Sequence, residues 1–368
     1  MYVTRRLPTF ALGVFTIFGA LGGTAVAADW QAGAPAEWKQ VLEAAKKEDP
    51  VVLAGQPELQ KPLSEAFERD TGLKMDFIAG GYNELDARFQ QGARAGKPTI
   101  DMYFAGGTAV MQAKDGILEP VNTMLMLPGV TDTKNWIGGF IKYEDNAKKH
   151  VIIPSEYVHG WPLFDANKIK PGTLTKWKDL LKPEFKGKIA AYDPTVPGPG
   201  QAVGMFLAAS FGMDYVKALY QGQDVKLVRN PRQLVEWVAR GTYPIALAAL
   251  ATHIEAFKKE GLINLYVPQM EDAAGILLGG SSLIEVAKNP PHPNAIKVFV
   301  NWYMSQPGQF VYSNIWKVPS RRLDVKVEGI PDYVVPKDGM KYNEQYTEEW
   351  YTTFRPKFAA EITKMIDR

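Results

Sequence analysis

The sequence contains no cysteine among its 368 residues, which excludes a disulfide framework, a thiolate metal site and a lipid anchor on a cysteine. Histidine is nearly as scarce: His150, His159, His253 and His292 are the only four. They show no metal-ligand spacing and are expected to be structural or solvent-exposed. No charge excess exists either, with 42 Lys and Arg against 40 Asp and Glu, so nothing points to nucleic acid or an anionic membrane surface. The chain has no internal repeat, and beyond its opening stretch no apolar run approaches the roughly 20 residues of a membrane span. Catalytic signatures are missing too: there is no Gly-x-Ser-x-Gly elbow around Ser281 and Ser282, no His-Glu-x-x-His and no Walker lysine loop. Glu156, Glu236 and Glu255 are isolated carboxylates expected on solvated faces or in ion pairs. Arg321-Arg322 is expected as plain surface charge.

What is present begins with an export signal. Arg5-Arg6 precede an apolar stretch from Leu7 to about Ala20, and Ala25-Val26-Ala27 stand before Ala28-Asp29. Residues 1–27 therefore read as a signal peptide cleaved after Ala27, with a periplasmic destination. The mature chain is expected to be soluble and monomeric, and long enough for two domain-sized cores of about 100–200 residues each.

The hydrophobic pattern alternates between the two periods of regular structure. Trp38, Val41, Leu42 and Ala45 predict a helix, and Val51 to Ala54 a buried strand. Leu59, Leu63, Ala66 and Phe67 predict a helix closed near Thr71-Gly72, and Met75 to Ile78 a second strand. A helix opening at Asn83 and a strand from Ile100 to Ala105 follow. The alternation resumes with a strand over 188–192, a helix from about Gly200 to Ser210, a helix opened by Asn230-Pro231 and a strand over 244–250. A helix over 252–260, a strand over 275–286 and a helix from Pro293 complete it. Two α/β units result, with mostly parallel sheets flanked by helices. The tail beyond Pro319 shows no readable pattern.

Two stretches carry a family resemblance: Trp177-Lys178-Asp179-Leu180-Leu181-Lys182-Pro183-Glu184-Phe185-Lys186-Gly187-Lys188-Ile189 with Asp193-Pro194, and Pro291 to Trp302 with Ser305-Gln306-Pro307-Gly308-Gln309. Phe67-Glu68, Thr71-Gly72 and Thr99 to Tyr103 add a weaker match. Together they resemble the extracellular solute-binding proteins that include the ferric-ion, polyamine, thiamine and sugar-phosphate receptors of ABC importers. That resemblance implies a type II periplasmic binding protein fold: two α/β lobes joined by two crossover strands, a ligand cleft between them and a hinge that closes it. Lobe 1 is expected over 28–156 plus 275–315 and lobe 2 over 157–274, with 316–368 unassigned. The partners implied are a small-molecule ligand and the importer's membrane permease. No cofactor and no enzymatic activity are implied.

Candidate ligand contacts lie where strands hand over to helices, because open α/β sheets bind at the carboxyl ends of strands. In the loop after Tyr192, Thr195, Gly198, Gly200 and Gln201 offer donors at a helix start, suited to a carboxylate or phosphate. Gly106, Gly107 and Thr108 occupy a second such turn, Gln56 a third, and Thr252 with His253 a fourth. Tyr157, His159 and Trp161 precede the expected crossover, where rings form a wall and His159 a charge-dependent donor. Ferric-ion receptors of the family carry two adjacent tyrosines at the fourth turn, where this chain has Ala251-Thr252. A small organic anion is therefore the expected ligand, with a metal receptor using other ligands, or a secreted hydrolase, as the alternatives.

Overall fold

The computed structural model describes residues 29–366 apart from Ala105 and Gly107, so the expected signal peptide lies outside the described residues. The described strands form three sheets. In the first, β1 (Val51–Gly55) is central, with β2 (Met75–Ala79) and β3 (Met102–Tyr103) parallel on either side. β4 (Tyr157–His159) and β5 (Leu163–Asp165) follow, then β6 (Ile189–Tyr192), β7 (Lys226–Val228), β8 (Ile245–Leu247) and β9 (Leu265–Tyr266). The last five give a sheet ordered β7-β6-β8-β5-β9, parallel around β6 and antiparallel at β5. The chain returns along β10 (Ile276–Leu278), which pairs antiparallel with β4 and parallel with β11 (Asn343–Glu344). This third sheet lies where the chain passes between the lobes.

Each lobe has its own core. In the first, Phe67, Phe104, Phe299 and Tyr303 are buried and interlock, several edge to face, the arrangement favoured by ring quadrupoles. In the second, Trp177 and Phe206 meet edge to face at 5.5 Å, among Ile189, Val203 and Ile245. The predicted helices form as local rules dictate. Pro57 opens the Pro57–Thr71 helix and Gly72 closes it at φ 73°, a left-handed conformation that glycine adopts without strain. Asn230 caps the Pro231–Ala239 helix by accepting from the Gln233 amide, satisfying one of its unpaired donors.

Three expectations are corrected. The strand predicted over 275–286 stops at Leu278, because Gly280 turns the chain at φ 57° into a tight turn, where a Cβ would stand 2.6 Å from the Tyr157 hydroxyl. The strand predicted over 244–250 is cut to three residues by Ala248 at φ 66°. Arg321 and Arg322 are not surface charge: both are 5% exposed. Arg321 pairs with Glu156, which also takes Lys142 at 2.6 Å, and Arg322 pairs with Asp324 at 2.7 Å. A buried guanidinium is tolerated when its charge is paired this way, and of the Arg321 donors the Nε alone is buried without a partner.

The tail has structure that no periodicity announced. It leaves the first lobe near Ser320, whose hydroxyl donates to the Pro154 carbonyl, and β11 then joins the crossover sheet. Glu348 next faces Lys114 of the first lobe at 3.4 Å, and the Arg355–Ile366 helix packs on the second lobe through Phe358 and Ile362. Between them Trp350–Phe354 form a π-turn. Pro356 explains it: a proline within a helix has no N–H to donate and its ring crowds the carbonyl four residues back, so the turn before it widens. No helix among the described residues is long and apolar enough to cross a membrane.

Candidate ligand-binding cleft

A cavity of about 440 Å³ opens between the lobes, within the range of sites that enclose a small organic molecule. The second lobe contributes helix starts. The Pro199–Phe211 helix begins at Gly198, whose φ of 136° requires glycine, and its first turn leaves backbone N–H groups without intrahelical partners. Gly200 holds that helix against β6. A Cβ there would lie 2.3 Å from the Tyr192 carbonyl and 2.6 Å from that of Asp193, so the position requires close backbone approach, and Gly200 is not among the residues lining the cavity. Burial pushes the Asp193 carboxyl up, but hydrogen bonds from Thr195 and Arg229 outweigh it and hold the group below its ordinary value.

The first lobe and the crossover contribute rings: Tyr82, Tyr103, Tyr157 and Tyr312 line the same space. Half of the Tyr82 surface is exposed, yet its hydroxyl end points inward toward Ser281. Desolvation raises each phenol, Tyr82 to about 12, so these groups are neutral hydroxyls at physiological pH. Burial and then the neighbouring Asp145 push the Glu144 carboxyl up to about 8, and burial with Glu144 and Asp86 pushes Glu285 well above its ordinary value. Glu144 is thus held protonated near neutrality. His159 is driven down to about 4 by desolvation, so it is neutral at pH 7 and the charge-dependent donor expected of it is corrected to a neutral imidazole.

The tail closes the remaining side with Tyr346, Trp350, Tyr351 and Arg355. The Arg355 Nε donates to the Gln201 Oε1 at 3.0 Å, and its guanidinium lies 5.2 Å from the Tyr351 ring centroid. Among the described residues it meets no carboxylate. The one carboxylate among the described residues lining the cleft, Asp86, already accepts hydrogen bonds from Gln90, Thr108 and Gln112.

Of the residues singled out in the sequence, the cleft brings together Gly106, Thr108, Tyr157, His159, Trp161, Gly198, Gln201 and Thr252. Gly107 lies outside the described residues. Gln56 precedes the Pro57–Thr71 helix, with both side-chain polar atoms unpartnered. Thr195 turns its amide and hydroxyl to Asp193 at 2.8 and 2.6 Å. His253 stands beside Thr252 but off the cavity wall. Arg355 and the tail rings were missed because only the tertiary fold places them there. Among the described residues no group of three or more His, Asp or Glu could hold a metal ion.

A model of the bacterial extracellular solute-binding protein family matches residues 50–310. An uncharacterised protein of Haemophilus influenzae is 25% identical over 266 residues, covering 68% of this chain and 71% of that one. Among solved structures, the Trichodesmium protein IdiA (FutA), in complex with iron and citrate, has a TM-score of 0.63 at 19% identity, covering 87% of this chain and 98% of that one. AfuA of Actinobacillus pleuropneumoniae, bound to fructose 6-phosphate, has a TM-score of 0.65 at 16% identity, covering 86% and 99%. Iron-bound HitA of Pseudomonas aeruginosa has a TM-score of 0.64 at 16% identity, covering 86% and 98%. At these identities the likeness is one of fold.

Proposed function

Because the chain belongs to the bacterial extracellular solute-binding protein family, we propose that it is the periplasmic capture subunit of an ABC importer, without enzymatic activity, and that its cargo is a small organic anion. The observation that carries the ligand's charge is Arg355. A guanidinium has five N–H donors; one is used by Gln201, and the fork that remains suits a carboxylate or phosphate. The unpaired amides at the start of the Pro199–Phe211 helix lie beside Gln201 and add to the preference for negative charge. Protonated Glu144 does not cancel that field. Two of the structural neighbours were seen with organic anions, citrate and fructose 6-phosphate, which supports the reading.

The signal peptide over 1–27 would deliver the chain to the periplasm, as a monomer with no nucleic-acid partner. Lobe 1 over 28–156 plus 275–315 and lobe 2 over 157–274 would close about the ligand by as much as it favours the closed state, and the importer's permease would receive that closed form. Two of the neighbours hold iron, which keeps a metal receptor as the second reading. Against it stand Ala251-Thr252 at the cleft and phenols whose desolvation opposes ionisation. Native mass spectrometry of protein recovered from the periplasm without refolding tests the proposal. The expected result is a bound organic anion; a retained ferric ion or a polyamine would contradict it.

A further inference from the structure

Several of the cleft's polar atoms are engaged within the protein. Gln345 gives its amide to the Ala202 carbonyl at 2.8 Å and to Asn343 at 3.1 Å. The hydroxyls of Tyr103, Tyr312 and Tyr333 meet the Tyr82 carbonyl, Ser281 and Glu255 at 3.0, 3.0 and 2.8 Å. A polyhydroxylated ligand needs a partner for each hydroxyl it buries, since an unpaired one forfeits its hydration. What the cleft offers in excess is ring surface: ten of its lining side chains are Tyr or Trp.

The tail concentrates that surface next to the free cation. Its π-turn, wider than an α-turn, brings Trp350 and Tyr351 to the same cleft-lining face as Arg355, five and four residues on. Phe354 backs Trp350, stacked at 4.3 Å and 23°, and Tyr346 meets Tyr351 edge-on at 6.1 Å. The rings are thus held in place before any ligand arrives, which lowers the ordering cost of binding. We infer that the cleft selects a planar, largely aromatic monoanion, its charge on Arg355 and its ring against Tyr346, Trp350 and Tyr351 of the tail. This rests on the anion reading above and narrows it. A flat ring fits between such walls in offset or edge-on contact, whereas a sugar ring sets several hydroxyls against ring faces that cannot pair them.

The test is calorimetry of the mature protein from Ala28 with 2-naphthoate, cyclohexanecarboxylate, glucose 6-phosphate and spermidine, with thermal melts as the folding control. Naphthoate should bind at least about tenfold more tightly than either other anion. Trp350→Leu should cost naphthoate about tenfold, while Trp350→Phe, which keeps a ring, restores most of it. Naphthoate that is unbound, or no tighter than cyclohexanecarboxylate, overturns the inference. Glucose 6-phosphate binding best would overturn it and leave the anion reading standing; spermidine alone binding would overturn both.

Discussion

On the side of the five-stranded sheet the cleft wall is backbone: Gly198 opens a helix toward the cavity and Gly200 lets that helix press against β6. On the side of the β2-β1-β3 sheet the wall is phenol, with Tyr82 and Tyr103 lining the cleft, the buried carboxyl of Glu285 near Tyr103 and that of Glu144 near Tyr346 and Tyr351. One wall presents fixed dipoles, the other neutral ring faces, and the charge comes from neither. Arg355 is carried in by a tail that touches both lobes and lies 154 residues from its partner Gln201. The cleft is thus lined unequally, with backbone dipoles on one side, neutral rings on the other and the cation brought in by the tail.

The backbone wall is the easier to break. Gly200→Ala drives a Cβ into two carbonyls of the β6 end, and neither can withdraw without breaking the strand-to-helix turn. A loss of about 3 kcal/mol or more is expected, the scale of strain and overpacking. A thermal melt checks it against Gly222→Ala in the same lobe, where the added Cβ meets nothing within 4 Å and stability should hardly change. Gly200→Asp cannot test ligand charge, since it would disrupt the site first.

The phenol wall responds to pH. The folded chain keeps Glu144 protonated up to about pH 8, whereas an unfolded one releases that proton near 4.5. Its contribution to stability is therefore fully present below pH 4.5 and is lost as pH rises toward 8. Glu285 titrates in its company, so the two act as a pair. Glu144→Gln keeps the shape without the ionisation, and should raise stability by about 1–2 kcal/mol at about pH 8 with little change at about pH 5. Chemical denaturation at the two pH values measures this; equal gains at both would show that the carboxyl is not held protonated.

The same contrast accounts for what the sequence disclosed. The strands β1, β2, β3, β6 and β8, most of the longer helices before the tail and the loop from Asp193 to Gln201 were legible because each is a local pattern: period, proline, glycine, cap. β4 and β5 were not, being three residues each and antiparallel. The buried Arg321–Glu156 pair was misread because composition gives charge and not its distance from water. Arg355 was beyond reach, since nothing near it in the chain names Gln201 or the cleft. A tail without periodicity reads as packing detail until the fold brings it to the site.

The central claim is that Arg355 anchors a bound anion, and calorimetry with the molecule that copurifies with the protein tests it most directly. Arg355→Gln keeps a donor for Gln201 and removes the charge; affinity should fall at least about tenfold, equivalent to about 1.4 kcal/mol, with the melt unchanged. An affinity equal to wild type, with the fold intact, would show that the anion is held elsewhere or that the ligand is not an anion.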